Sequence, residues 1–365
     1  MTAAPARPLR LDRADGRWVL AATVLASGVV FLNSTIVNVA LPAIGSGLGA
    51  GTAGLQWIVN GFLLALGSLI LVGGALGDRY GRARLMVIGA AAFAVTSLLC
   101  GLAPSTGWLI GFRMLQGVAA AVLVPGSLAI LEASFRREDR GRAIGAWSAL
   151  GGIAAAVGPV LGGWLIDVAS WRWIFYAAIP LALAVVALGL WKVPETRDPE
   201  ARRLDLPGAL AALAGLGALS WTLIQGPERG WGDPAVWGTG VLAVGVLALF
   251  LAIERRSRHP MMPLGLFASG QFRAANGVTF VVYSALGAVF FLLVVYLQNG
   301  LGYSALGAGL ALLPVTGLML VLSPRAGDRA ARRGARRPLT LGAVLIAGGM
   351  GLMAAIRPGD GYLAA

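Results

Sequence analysis

LQWIVNGFLLALGSLILVGGALGDRYGRARLMVIGAAAFAVTSLLCGLA, residues 55–103, decides the fold class. It holds two apolar runs, Leu55–Gly77 and Leu85–Ala103, joined by a turn that carries Asp78, Arg79, Arg82 and Arg84. Each run has the length, roughly 20 residues, that a helix needs to cross the hydrocarbon core of a bilayer. Two membrane helices meeting at a basic turn are the simplest reading.

Working outward, the same pattern recurs along the whole chain. Eleven stretches qualify as spans: Trp18–Ile44, Leu55–Gly77, Leu85–Ala103, Trp108–Leu131, Ala143–Ile166, Trp173–Trp191, Leu206–Ile224, Val236–Ile253, Ala274–Leu297, Tyr303–Leu322 and Leu339–Ile356. Ten spans after the first exclude a simple cleaved leader. Of the 365 residues 58% are hydrophobic and 12% charged, against about 25% charged in soluble domains, so a water-soluble enzyme surface cannot be assembled. The abundant glycine (53 residues) suits close helix packing in lipid. Cys100 is the single cysteine, which excludes an internal disulfide framework. The fold class expected is therefore an all-α polytopic membrane protein.

Charge placement sets the orientation. The N-terminal tail and the loops after every second span hold 25 of the 29 Arg and Lys residues; the other loops and the C-terminal tail hold Arg172, Arg229 and Arg357, and Arg113 lies within a span. Basic residues collect on the cytoplasmic side, which places the N-terminus inside. The net charge of +13 is then a topology signal spread over short loops, with no nucleic-acid partner implied. Trp18, Trp108, Trp171, Trp173, Trp191 and Trp237 fall at span ends, where indoles favour the lipid–water interface.

Four local patterns carry a family resemblance. GGALGDRYGRAR (73–84) resembles the G-x-L-x-D-R-x-G-R-[KR] signature of the major facilitator superfamily. LIGFRMLQGVAAAVLVPG (109–126) is similar to its R-x-x-Q-G pattern, and GGIAAAVGPVLGG (151–163) resembles its antiporter motif at Gly158, Pro159, Gly162 and Gly163. FLNSTIVNVALPAI (31–44) resembles the opening of the fourteen-helix drug:proton antiporter group, and SWRWIFYAAIP (170–180), PERGW (227–231) and ERRSRHPMMPLGLF (254–267) point the same way. The resemblance implies a six-helix bundle over 18–193 after a cytoplasmic tail at 1–17, two inserted helices with their linker at 194–256, a cytoplasmic linker at 257–272 and a partial second bundle at 273–365. It also implies alternating access, in which the two bundles rock about a central site. Gly74, Gly77, Asp78, Arg79, Gly81 and Arg82 would then latch the halves on the cytoplasmic side.

The candidate polar lining comprises Asn33, Asn38, Trp57, Asn60, Arg113, Gln116 and Tyr283, with Asn276 and Tyr296 as weaker members. Arg113 is the one charge inside a span, at a cost of about 2.5–3.5 kcal/mol if central. It stands about 7–8 Å from the span's outer end at 1.5 Å per residue, near enough to snorkel; the other reading is an inward, functional role shared with Gln116. Asn38 and Asn60 read equally well as interhelical hydrogen-bond partners. No zinc-binding or phosphate-binding motif occurs, G-x-G-x-x-G at 49–54 has no preceding strand, and neither a metal nor a cofactor is expected.

Two departures from the family pattern matter. Asn33 stands where the group has an Asp, the presumed proton carrier; none of the sixteen acids falls in mid-span, and the single His259 is in a loop. A proton therefore lacks its usual carrier, and a cavity near Arg113 would favour neutral or anionic small amphiphiles. The second departure is length. SPRAGDRAARRGARR (323–337) repeats the first bundle's loop, with Asp328 matching Asp78, yet 37 residues follow Asp328 where 113 separate Asp78 from Trp191. The shortfall is about three spans at roughly 20 residues each with their loops, as a fragment or truncated product would show. A membrane exporter of drugs or metabolites leads the expected functions, ahead of an uncoupled facilitator or uptake carrier and a non-transporting membrane protein; no nucleophile–base constellation points to an enzyme.

Overall fold

A computed structural model of the chain describes residues 8–198, 205–257 and 260–315, together with 317–319, 321–322, 325–326, 334 and 336–353. The first five helices are α1 (Ala14–Leu48), α2 (Thr52–Tyr80), α3 (Arg82–Leu102), α4 (Thr106–Ser134) and α5 (Arg137–Val168). Next come the short α6 (Trp173–Tyr176), α7 (Ala178–Lys192), α8 (Leu206–Arg229), α9 (Pro234–Arg256) and α10 (Gly270–Val295). A π-turn at Tyr296–Gly300 leads to α11 (Ala305–Ala311), and α12 covers Arg336–Met353. Among the described residues nine helices, with α6 and α7 counted together, are long and apolar enough to cross a membrane; the stretches near 305–319 and 339–352 are shorter apolar helices. Nine of the eleven expected spans are thus full-length helices, and the molecule is an all-α, multi-pass membrane protein.

Local chemistry sets the helix boundaries. Gly49 ends α1 in the left-handed region with φ 64°, which a glycine enters at no steric cost. Asp233 starts α9 by accepting from the amide of Ala235 at 2.7 Å, ahead of Pro234 in the first turn. The sixth span differs from its expected unbroken form: its helix is interrupted at Ala177. Pro180 has no N–H to offer the carbonyl one turn back, so the ladder fails at that point.

Helices α1 to α7 form the first bundle. In it α2 packs along α4, α1 along α5, and α3 against both α4 and α7. α8 and α9 pair with each other, and α8 leans on α2. α10 and α11 meet the first bundle through α1 and α5. One apolar cluster (Phe62, Met86, Phe93, Leu123, Phe135 and neighbours) fills the half of the bundle nearer the basic loops, and a second (Ile36, Leu41, Ile58, Leu109, Phe175 and neighbours) fills the opposite half. Lipid tails are as apolar as these side chains, so close packing and interhelical hydrogen bonds specify this arrangement more than hydrophobic transfer does. The segment before α1 is tied down too: Leu9 donates to the carbonyl of Ser134 at 2.8 Å and accepts from Arg136 at 3.1 Å.

Candidate functional site: a buried arginine and its neighbours

Arg113, in the N-terminal half of α4, is 1% exposed. It therefore points into the bundle and does not snorkel. Its Nη1 donates to Asn33 Oδ1 of α1 and to Gln116 Oε1, each at 2.6 Å, and its Nε donates to the carbonyl of Ile58 in α2 at 3.2 Å. The guanidinium carbon lies 4.2 Å from the centre of the Phe62 ring, a cation–π contact strengthened by desolvation. Gln116 passes the network on, its Nε2 donating to Ser97 Oγ of α3 at 2.7 Å, while the Cys100 thiol stands 3.8 Å from Gln116 Oε1. Four helices thus converge on one charge.

Among the described residues, every hydrogen-bond partner of this cation is neutral. Asn33 is fully buried, and among the described residues its Nδ2 has no hydrogen-bond partner. Rotating the amide would not help, because it would aim Nδ2 at the guanidinium N–H groups and leave the arginine short of an acceptor. A buried donor without an acceptor costs about 1–3 kcal/mol. Arg113 and Asn33 together form a donor-rich pair that an acceptor or an anion would complement.

At the basic turn, Asp78 and Arg82 form an i,i+4 ion pair at 2.8 Å, with Arg82 also reaching the carbonyl of Ala129 at 3.4 Å. Gly81 sits at φ 117°, and a Cβ there would come within 2.6 Å of the Glu195 carboxylate. That carboxylate accepts from the amides of Ala83 and Arg84, each at 3.1 Å, while Thr196 O accepts from Arg82 N at 3.0 Å. Glu195 thus caps the positive end of α3 from the segment that follows α7. In α5, Gly158 and Gly162 face Thr35 and Ile36 of α1, while a side chain on Gly163 would strike the backbone at Ala305 and Leu306. Gly309 in turn faces the carbonyl of Pro159. The 158–163 motif is therefore the surface on which α5 meets both α1 and α11.

The profile of the Major Facilitator Superfamily matches residues 23–365. The chain belongs to this superfamily. It is 39% identical over 329 residues to the multidrug resistance protein Stp of Mycobacterium tuberculosis, covering 90% of this chain and 61% of that one. It is 37% identical over 335 residues to the tetracenomycin C resistance and export protein of Streptomyces glaucescens, covering 91% and 62%. The chain thus spans about three fifths of the length of these relatives. Among solved structures, tetrameric PepTSo2 superposes with a TM-score of 0.63 at 16% identity, covering 93% of this chain and 76% of that one; that likeness concerns the fold alone.

The remaining expected residues of this superfamily member are scattered. Asn38 is half-buried and donates to Ser34 O of its own helix at 3.4 Å. Asn60 is half-buried on α2. Trp57 lines an apolar crevice of about 500 Å³ between α2, α4, α8 and α9 with Leu64, Met114 and Trp221, apart from the Arg113 cluster. Tyr283 is 72% exposed on α10, and Asn276 donates to Phe272 O of its own helix at 2.9 Å. Gly74 lies against Pro125 of α4, and Gly77 against Arg82. Arg79 stacks beside Tyr80 at 5.5 Å. Asp328 and His259 lie outside the described residues. Sequence reasoning missed Ser97, Phe62 and Glu195. A hydroxyl within an apolar span was the available signal for Ser97, while nothing local announced that Glu195 would cap a helix more than a hundred residues earlier.

Proposed function

We propose that the protein is a secondary transporter, not an enzyme, that exports small amphiphilic compounds across the cell membrane by alternating access. The observation that carries this reading is the Arg113 network: a desolvated cation bound by neutral acceptors at the meeting of four helices. The names of the relatives, which speak of drug resistance and export, supply the substrate class. In this reading the N-terminus is cytoplasmic, the bundles follow the boundaries 18–193 and 273–365, and Asp78 with its turn biases the inward–outward equilibrium. Asn33, Gln116 and Arg113 form the polar core of the substrate route, with Asn38, Asn60, Trp57 and Tyr283 along it. The uncompensated charge favours neutral or anionic amphiphiles over lipophilic cations.

The test is accumulation of a fluorescent amphiphile in cells expressing this chain, with and without a protonophore. Export of a carboxylate dye, competed more strongly by carboxylates than by quaternary ammonium compounds, is the expected result. Tighter competition by the quaternary cation would overturn the substrate class. A second reading, a facilitator without proton coupling, is favoured by Asn33, which cannot titrate. Flux that persists unchanged when the pH gradient is collapsed would select it.

A further inference from the structure

At the end of the first bundle opposite the basic loops, an acid occupies a place its own helix disfavours. Asp167 lies in the last turn of α5, where the partial negative charge of the helix C-terminus repels a carboxylate. Its compensation comes from the second bundle. Asp167 Oδ1 accepts from the amide of Ala305 at 3.2 Å, and Oδ2 accepts from the amide of Leu306 at 3.1 Å, across 138 and 139 residues of chain. Ser304 supplies the local cap, accepting from Gly307 at 3.0 Å. Three of the four orphan amides of the first turn of α11 are therefore satisfied, two of them by the other bundle.

The surroundings make this a closure and not a chance contact. Just inside Asp167, Gly163 and Gly309 let the backbones of α5 and α11 touch, with no side chain between them. Ala308 on the same turn is fully buried. A second bond closes the same end, Gln298 Nε2 donating to Val39 O of α1 at 2.9 Å. Two glycine-faced helices hold each other only through weak dispersion contacts, so they can part readily once the polar clasp is gone. Charge-assisted bonds to backbone amides are the strong kind, and here they join exactly those elements that must separate for the central site to open on this side.

We infer that Asp167 is a positioning residue for transport: its carboxylate clasps the N-terminus of α11 and holds the outward gate shut. The inference rests on the alternating-access reading and adds to it the residue that sets the closed state of the face opposite the basic loops. Protein with Ala308→Cys is purified in lipid nanodiscs and treated with a maleimide. Modification at each cysteine is read by peptide mass spectrometry, so buried Cys100 stays in place. Ser134→Cys, buried at the basic face, reports on the fold as a whole.

Asp167→Ala should raise the labelling rate at position 308 roughly ten-fold, which corresponds to about 1.4 kcal/mol in the open–closed equilibrium. Asp167→Asn, which keeps one acceptor oxygen, should fall between Ala and the parent. Ser304→Ala, which weakens the same helix end without touching the clasp, should leave labelling near the parent rate. Equal rates in the parent and Asp167→Ala would overturn the inference, as would a parallel rise at position 134 or an equal rise from Ser304→Ala. The labelling requires no substrate, so its failure leaves the transport reading standing, and a chain that moves no dye can still show the clasp.

Discussion

α1 and α10 are both long, strongly apolar helices, and a hydropathy reading treats them alike. Their surroundings differ sharply. α1 has 61% of its most apolar window buried inside the protein, and α10 has 6%. α1 carries Asn33, packs its small residues against α5 and is pinned to α4 through Arg113. Within α10, Val294 is the one buried residue among those described. Apolar length makes a helix a membrane span, but it does not decide what that helix touches. In lipid, specific contact needs polar groups or small residues, and a change in α1 should therefore cost far more than the same change in α10.

The strongest test of that contrast is Arg113→Ala. It leaves Asn33 Oδ1, Gln116 Oε1 and Ile58 O without their donor and strips the cation from the face of Phe62. Leaving a buried polar group unsatisfied costs about 1–3 kcal/mol, and here two buried side-chain acceptors, Asn33 Oδ1 and Gln116 Oε1, lose the arginine together. The effect would be seen as a large drop in melting temperature in detergent together with loss of flux. A stable, fully active Arg113→Ala protein would end the idea that this network defines the first bundle.

Asn33→Asp should act next most strongly, and in the opposite direction. It replaces the orphaned Nδ2 by a second carboxylate oxygen and gives Arg113 a charged partner. Relief of an unsatisfied buried donor is worth about 1–3 kcal/mol, so the melting temperature should rise. The variant should also acquire a dependence of flux on external pH, because position 33 then titrates. A lower melting temperature would mean that the Asn33 amide is better satisfied than its geometry implies.

How much of this was legible before the structure follows from which forces act locally. Span positions were readable because bilayer thickness imposes a length on each apolar run, and the break at Ala177 was the exception because Pro180 acts one turn upstream of itself. The pairing of Arg113 with Gln116 was readable, since residues three apart share a helix face. The pairing of Arg113 with Asn33 was not, because it depends on how α1 is rotated against α4, which no local pattern records. Trp57 adds a case of the same kind: an indole inside a span suggests cavity lining, but that its crevice is shared with α8 and α9 is recorded by no local pattern. Glu195 was invisible for the same reason as Asp167, since each carboxylate serves a helix distant in sequence.

Glu195→Ala tests one of those distant caps and should have a modest effect. It removes the acceptor of the Ala83 and Arg84 amides at the start of α3, in an exposed position. Loss of a capping side chain costs about 0.5–2 kcal/mol. Amide exchange should quicken over residues 82–85 while the Arg113 region keeps its protection. Quickened exchange throughout the bundle would show that this cap governs more than the end of α3.

The smallest effect is expected from Tyr283→Ala, and it is the sharpest for the α1–α10 contrast. Tyr283 stands 72% exposed on α10, where substitutions away from special features usually change stability by less than about 0.5 kcal/mol. The melting temperature should therefore match the parent's. Flux is a separate readout: a ring that touches passing substrate would alter export without altering melting, whereas a lipid-facing ring would alter neither. A clear fall in melting temperature would be the informative surprise. It would mean that α10 is held through a contact at that face, and that the two helices are closer in kind than their burial makes them.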